Sequence, residues 1–192
     1  EPNLSVAGTV LIVVFLLLVA AGAQKSHLTL LAIMGCAAAV LFTVSEDYRY
    51  KRLTSFIDPW KDPLDTGYQA IQSLLALGSG GLMGVGLGKS HQKFFYIPEP
   101  QNDFIFAIIG EELGFLGCAA IILLFIVLTW RGIKVAINAA DTFGSLLAAG
   151  ITSIIAVQAI INIAVATSSM PVTGIPLPFI SYGGSSLIFM LA

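Results

Sequence analysis

The sequence LSVAGTVLIVVFLLLVAAGA, residues 4–23, contains no charged side chain. A helix that crosses a lipid bilayer needs about 20 mostly apolar residues, and this segment meets that length without interruption. Further apolar segments lie at residues 28–44, 68–88, 104–130 and 145–167, and a last one begins near the end of the chain. We therefore predict an all-α, polytopic transmembrane protein with about six spanning segments, in one transmembrane domain covering residues 1–192.

The composition supports a membrane protein and excludes several other classes. Of the 192 residues, 57% are hydrophobic and only 10% are charged, whereas a soluble domain carries roughly 25% charged residues. The net charge of −2 gives no electrostatic basis for binding nucleic acid, and we expect none. Cys36 and Cys118 both lie in apolar runs, which is neither a disulfide framework nor a metal-ligand spacing.

The loops between the segments predict the orientation in the membrane. Nine of the chain's 20 acidic and basic residues fall in residues 45–66, so this stretch lies in water. Alternating spans place loops 45–67 and 131–144 on one side, with six lysines or arginines against three on the other side. Because positive loops stay in the cytoplasm, these two are predicted to be cytoplasmic. The predicted extracytoplasmic loops are 24–27, 89–103 and 168–184.

The outer loop KSHQKFFYIPEPQND, residues 89–103, is the densest candidate site. Its lysines could hold a phosphate, and a carboxylate could act as a general base. Its three consecutive aromatic residues could equally belong to an interfacial belt. A plain solvated loop explains the pattern about as well as a site does.

Polar residues near the predicted helices carry alternative interpretations. Asp103 directly precedes an apolar helix and could be its N-cap. Glu111 and Glu112 are either interfacial or paired inside a cavity. Gln158 and Asn162 are four residues apart on one helix face, where polar side chains usually form hydrogen bonds between helices.

The last loop, PVTGIPLPFISYGGSS at residues 171–186, cannot continue a regular helix because prolines and glycines interrupt it. Its pattern alone predicts a structural plug or a cavity wall. The same stretch resembles the signature of the SEDS family (shape, elongation, division and sporulation proteins). Other motifs that resemble the family, in order, are EPNLS (1–5), DPWKDPL (58–64), GYQAIQS (67–73), KFFYIPEPQNDFIFA (93–107) and GEELG (110–114).

The resemblance covers essentially the whole chain and is closer to the division and sporulation branch (FtsW and SpoVE) than to the elongation branch (RodA). It implies that the chain corresponds to spans five to ten of a ten-span fold. The chain departs from the family pattern at Asn3, where Asp is usual, at Ser5, where Gly is usual, and at Asn102, where Thr is usual. The carboxylate at Asp103 is kept.

The resemblance also implies a function. SEDS proteins are peptidoglycan glycosyltransferases that polymerise lipid II at the outer face of the bacterial cytoplasmic membrane, beside a class B penicillin-binding protein and divisome membrane proteins. Asp103 matches the family's essential carboxylate and is the expected catalytic base, or the ligand of a divalent cation, Mg or Mn. The candidate substrate-binding residues are Lys89, Gln92, Lys93, Glu99, Ser181, Tyr182 and Ser185.

Two other functions remain open from the sequence. A lipid II flippase or transporter also uses broken, glycine-rich helices, and residues 78–88 contain six glycines. A membrane scaffold that only anchors the penicillin-binding protein would need none of this chemistry. We further expect the 192 residues to be about half of a longer protein, since the resemblance covers six spans of ten.

Overall fold

The computed structural model describes residues 4–44, 56–63, 67–90 and 103–182. Within these ranges every regular element is helical and no strand occurs, which confirms the all-α class. The elements are α1 (Leu4–Ala20), α2 (Lys25–Val44), a 3₁₀ turn (Pro59–Lys61), α3 (Tyr68–Gly80), α4 (Ile105–Ile137) and α5 (Thr142–Ala166).

Three of the described helices are long and apolar enough to cross a membrane. They contain the segments Lys25–Phe42, Ile105–Ile137 and Thr142–Ala166, and Ser5–Ala20 forms a shorter apolar helix. Large apolar side chains such as Leu123, Leu124 and Ile126 are exposed on α4, as expected for a surface that faces lipid. The prediction of a polytopic helical membrane protein is therefore confirmed. The last predicted span, after residue 184, lies outside the described residues.

The helices pack around α4 and α5. Helix α4 contacts both α5 and α3, α1 lies along α5, and α2 packs only lightly against α1. The buried core lies where the start of α4 and the second half of α5 meet the loop that follows α5. Its members include Phe104, Ala107, Ile161, Val165 and Leu177. This core holds Phe104, the residue directly after the predicted outer loop 89–103, together with the loop that follows α5.

Helix α3 is shorter than its apolar segment predicts. The segment 68–88 was expected to be a helix that loosens towards its end, whereas the helix ends at Gly80. Gly81 follows with a positive φ of 55°, a conformation that glycine adopts without a steric penalty. Residues 81–90 are therefore irregular, and the nonhelical segment begins eight residues before the predicted outer loop at 89–103.

The connection between α4 and α5 is also shorter than predicted. The loop was placed at 131–144, but α4 continues to Ile137 because its apolar pattern persists past the basic residues. Arg131 and Lys134 lie over the Trp130 ring, at 5.6 and 4.1 Å from its centroid. Asp141 then caps α5 by accepting a 2.8 Å hydrogen bond from the Gly144 amide.

The first predicted outer loop is displaced by a few residues. It was placed at 24–27, but α2 already begins at Lys25, and the turn occupies residues 21–24. The Ala21 and Gly22 amides donate to the Leu17 and Val19 carbonyls, at 2.8 and 3.1 Å, and so close the end of α1. The assignment of each loop to a side of the membrane stays a prediction.

Candidate functional site

Helix α4 is broken at Gly114, two turns into the helix, where φ is 68° and ψ is −165°. The break frees backbone groups on both sides, and the irregular segment after α3 pairs with them. The Phe115 amide donates to the Gly81 carbonyl, and the Val85 amide donates to the Glu111 carbonyl, both at 2.9 Å. Nonhelical backbone at membrane depth must be satisfied by protein in this way.

Glycine is required at this crossing because the two backbones touch. A Cβ on Gly114 would collide with the backbones of Gly84 and Leu82, and a Cβ on Gly84 would collide with that of Glu112. The end of α3 is thus clamped to the start of α4. The clamp positions Ser90, the last described residue before residues 91–102.

Ser90 and Glu111 form a buried pair beside this clamp. Each is only 2% exposed, and the Ser90 hydroxyl donates a 2.5 Å hydrogen bond to Glu111 Oε2. This selects the paired interpretation of Glu111 over the interfacial one. Because a buried carboxylate needs such a partner, the pair ties the start of the outer loop to α4.

We predict that Ser90→Ala lowers the free energy of unfolding by about 1.5–3 kcal/mol, the usual worth of a hydrogen bond to a charged group. Thermal unfolding of the purified full-length protein in detergent would measure the change. The matched control is Ser79→Ala. Among the described residues, the Ser79 hydroxyl bonds to the Ala76 carbonyl of its own helix. Loss of this hydroxyl should leave the free energy of unfolding nearly unchanged. Equal melting temperatures for the Ser90→Ala and Ser79→Ala variants would contradict the prediction.

Asp103 lies immediately before α4, but it is not the N-cap. That position belongs to Phe104, and no side-chain cap hydrogen bond is formed, so the cap prediction for Asp103 is wrong. Phe104 takes the position because its ring is buried in the core at 1% exposure. Asp103 is instead partly exposed, and its backbone carbonyl accepts a 2.9 Å hydrogen bond from Asn162 Nδ2.

The Asp103 carboxylate faces the loop that follows α5. A Cβ on Gly174 would lie 3.6 Å from Asp103 Oδ2, an ordinary contact distance, so the carboxylate lies beside this part of the loop. Gly174 has a positive φ of 69°, a backbone conformation that glycine adopts without a steric penalty. The two loops that alternation predicts on one membrane face therefore meet at Asp103.

Asn162 is the polar residue of α5 that joins these loops. It is 1% exposed, and its Nδ2 donates to the carbonyls of Asp103 and Ile175 at 2.9 and 2.8 Å. The sequence predicts hydrogen bonds between helices here, but both acceptors of Asn162 are backbone carbonyls outside the helices, before α4 and after α5. Gln158 differs, since its Oε1 has no hydrogen-bond partner among the described residues.

The remaining predicted site residues are spread around this region or lie outside the described part. Lys89 is exposed, and its backbone amide donates to the Gly86 carbonyl at 3.2 Å. Ser181 is buried, and its hydroxyl accepts from the Leu177 amide at 2.7 Å, which shapes the loop. Tyr182 is 77% exposed. Four candidates lie outside the described residues: Gln92, Lys93, Glu99 and Ser185.

A metal centre has little basis in the described residues. Across residues 4–44, 56–63, 67–90 and 103–182, no group of three or more His, Cys, Asp or Glu side chains lies together. Mg²⁺ usually keeps several waters and binds through one or two carboxylates together with substrate phosphates. The described residues therefore offer Asp103 as one carboxylate ligand, without a preformed cluster.

Comparison with known proteins places the chain in a family. The model of the family described as "Cell cycle protein", FTSW_RODA_SPOVE, matches residues 1–192, and the chain belongs to this family. It is 56% identical over 184 residues to "Stage V sporulation protein E" of Bacillus subtilis (strain 168), covering 96% of this chain and 49% of that protein. The suspected resemblance to this family is therefore confirmed.

Two further matches extend the comparison. The chain is 45% identical over 191 residues to "Probable peptidoglycan glycosyltransferase FtsW" of Geobacter sp. (strain M18), covering 100% of this chain and 52% of that protein. A solved structure described as "Structural coordination of polymerization and crosslinking by a peptidoglycan synthase complex" matches with a TM-score of 0.75 and 30% identity, over 100% of this chain and 53% of that chain. The chain thus spans about half the length of the curated relatives it matches.

Proposed function

We propose that the whole protein is a peptidoglycan glycosyltransferase that polymerises lipid II at the outer face of the bacterial cytoplasmic membrane, in cell division or sporulation. The observation that carries the proposal is the position of the Asp103 carboxylate beside a second loop, where its Oδ2 lies 3.6 Å from the position of a Cβ on Gly174. The relative from Geobacter sp. (strain M18) is named a probable peptidoglycan glycosyltransferase, which supports the same reaction class.

Asp103 would act as the general base. An acceptor sugar hydroxyl is too weak an acid to attack unaided, so a positioned carboxylate takes its proton as the new bond forms. The hydroxyl oxygen attacks the anomeric carbon of the donor sugar, and the bond from that carbon to the lipid pyrophosphate breaks. The pyrophosphate leaves with the electron pair, and the proton stays on Asp103.

The leaving pyrophosphate develops negative charge, which cationic side chains stabilise. Lys89 is exposed near the end of the irregular segment and is proposed to supply such a charge. The other candidates for contacts to the sugar or pyrophosphate are Gln92, Lys93, Glu99, Ser181, Tyr182 and Ser185.

We infer that the protein works beside a class B penicillin-binding protein, whose transpeptidase would cross-link the glycan. The solved structure that resembles this chain is described as a complex that couples polymerization to crosslinking. Divisome membrane proteins are further proposed partners. The proposed orientation puts Asp103 outside the membrane, since the more basic loops are cytoplasmic.

One reconstitution separates this function from its rivals. The purified full-length protein and its transpeptidase partner would be given lipid II in vesicles, with and without the Asp103→Ala substitution. Glycan polymer that forms with the native protein but not with the Asp103→Ala variant supports the proposal. Lipid II scrambling without polymer would identify a flippase, which the broken helix at Gly114 also suits. A protein that neither forms polymer nor scrambles lipid II would be identified as a scaffold.

A divalent cation, Mg or Mn, remains a separate proposal. If residues beyond the described part complete a site with Asp103, a chelator such as EDTA should reduce polymer formation by at least about tenfold, since the ion would stabilise developing charge. Added Mg²⁺ or Mn²⁺ should restore the rate. Unchanged rates in EDTA would contradict this proposal and leave the role of Asp103 as base intact.

A further inference from the structure

Asn162 forms hydrogen bonds to both of the segments that meet at Asp103. Its Nδ2 group carries two hydrogens, and each is directed to a different backbone carbonyl. One carbonyl belongs to Asp103, before α4, and the other to Ile175, next to Gly174 in the loop after α5. A single amide therefore joins three parts of the chain.

The orientation of this amide follows from its partners. Carbonyl oxygens only accept hydrogen bonds, so the amide nitrogen, and not its oxygen, must face them. Asn162 is 1% exposed, so water does not compete for these bonds. Its Oδ1 has no hydrogen-bond partner among the described residues. The hydrogen bonds of this buried amide are therefore made by its two N–H donors.

We propose that Asn162 is a positioning residue that holds the Asp103 backbone against the loop containing Ile175, and so aims the Asp103 carboxylate at the acceptor hydroxyl. The inference rests on the proposed function, because it assigns Asn162 a part in the same reaction. Both of its bonds are to main chain, so the amide fixes the spacing of the two segments. A misplacement of about 1 Å in a catalytic group can lower a rate by about 10²-fold.

Two substitutions test the proposal. Asn162→Ala removes both donors, and Asn162→Asp keeps the shape of the side chain but offers at most one donor, and that only when protonated. In the full-length protein with its transpeptidase partner, we expect kcat to fall by about 10–100-fold in both variants, with KM for lipid II within about twofold. Hydrogen–deuterium exchange should quicken in peptides that contain residues 103–108 and 172–177.

A matched control separates positioning from general stability. The Ser73 hydroxyl of α3 donates a buried 2.7 Å hydrogen bond to the Ala166 carbonyl of α5. Ser73→Ala therefore also removes one buried interhelical bond, and it should lower Tm while kcat per folded molecule stays at the native value. A purely structural Asn162 would behave in the same way.

The outcomes are distinct. Native kcat in both Asn162 variants, with loss of activity in Asp103→Ala, overturns the positioning role and leaves the proposed function standing. Native kcat in Asp103→Ala overturns the catalytic role of Asp103, and absence of polymer from the native complex overturns the proposed function itself. A lower kcat together with faster exchange in the two loops, absent from Ser73→Ala, supports the proposal.

Discussion

Asp103→Ala should lower the rate of glycan polymer formation by about 10²–10⁴-fold, the range that a positioned general base contributes. The substitution removes the carboxylate that lies beside the Gly174 loop and leaves the acceptor hydroxyl without a base. The fold should survive, because Asp103 is partly exposed and its carbonyl, which Asn162 binds, is retained. Initial rates with purified full-length protein, its partner and lipid II would measure the effect.

Asp141→Ala is the matched control for this variant. Asp141 is also an aspartate directly before a long helix, but it caps α5 through the Gly144 amide and lies in a different connection. Loss of the cap should cost about 1 kcal/mol in the free energy of unfolding, with an unchanged rate per folded molecule. Equal rates for the Asp103 and Asp141 variants would contradict the catalytic role of Asp103.

Gly114→Ala should destabilise the protein by about 3–5 kcal/mol, enough to prevent normal accumulation in the membrane. The φ of 68° and ψ of −165° belong to a region that only glycine occupies readily. A Cβ there would also collide with the backbones of Gly84 and Leu82. Backbone strain and overpacking each cost about 1–3 kcal/mol. Thermal unfolding and membrane yield would measure the loss.

Gly78→Ala, in the glycine-rich segment that packs against α4, provides the comparison. Gly78 lies inside α3 and has open space around the position of a Cβ. The substitution should be neutral, or should raise stability by about 0.5–1 kcal/mol, because alanine loses less backbone entropy in a helix. A Gly114→Ala protein that melts like Gly78→Ala would disprove the steric clamp between α3 and α4.

The apolar runs predicted the helices well because bilayer-spanning segments are selected by length and hydrophobicity alone. The end of α3 could not be found in this way. Glycines at 78, 80, 81, 84, 86 and 88 are apolar and compatible with a loose helix. The helix stops at Gly80 because the next residues pair with the broken turn of α4, and that partner lies about 30 residues further along the chain.

The sequence predicted part of the candidate site, as it predicted part of the fold. Alternation of spans brought residues 89–103 and 168–184 to one side, and the resemblance to the family selected Asp103. The cap assignment failed because burial of the Phe104 ring determines where α4 begins. Asn162 stood out as a polar residue in an apolar helix. Its two loop partners depend on tertiary packing, which spacing along one helix does not encode.

The rate of polymer formation by an Asp103→Asn protein tests the central claim most directly. This substitution keeps the size and shape of the side chain, removes its negative charge and its capacity to take a proton, and replaces one acceptor oxygen by an NH2 donor. Native and variant full-length complexes would be compared at equal amounts of folded protein and saturating lipid II. We predict a rate at least about 100-fold lower with lipid II binding unchanged. A variant that polymerises lipid II at the native rate would contradict the assignment of Asp103 as the catalytic base.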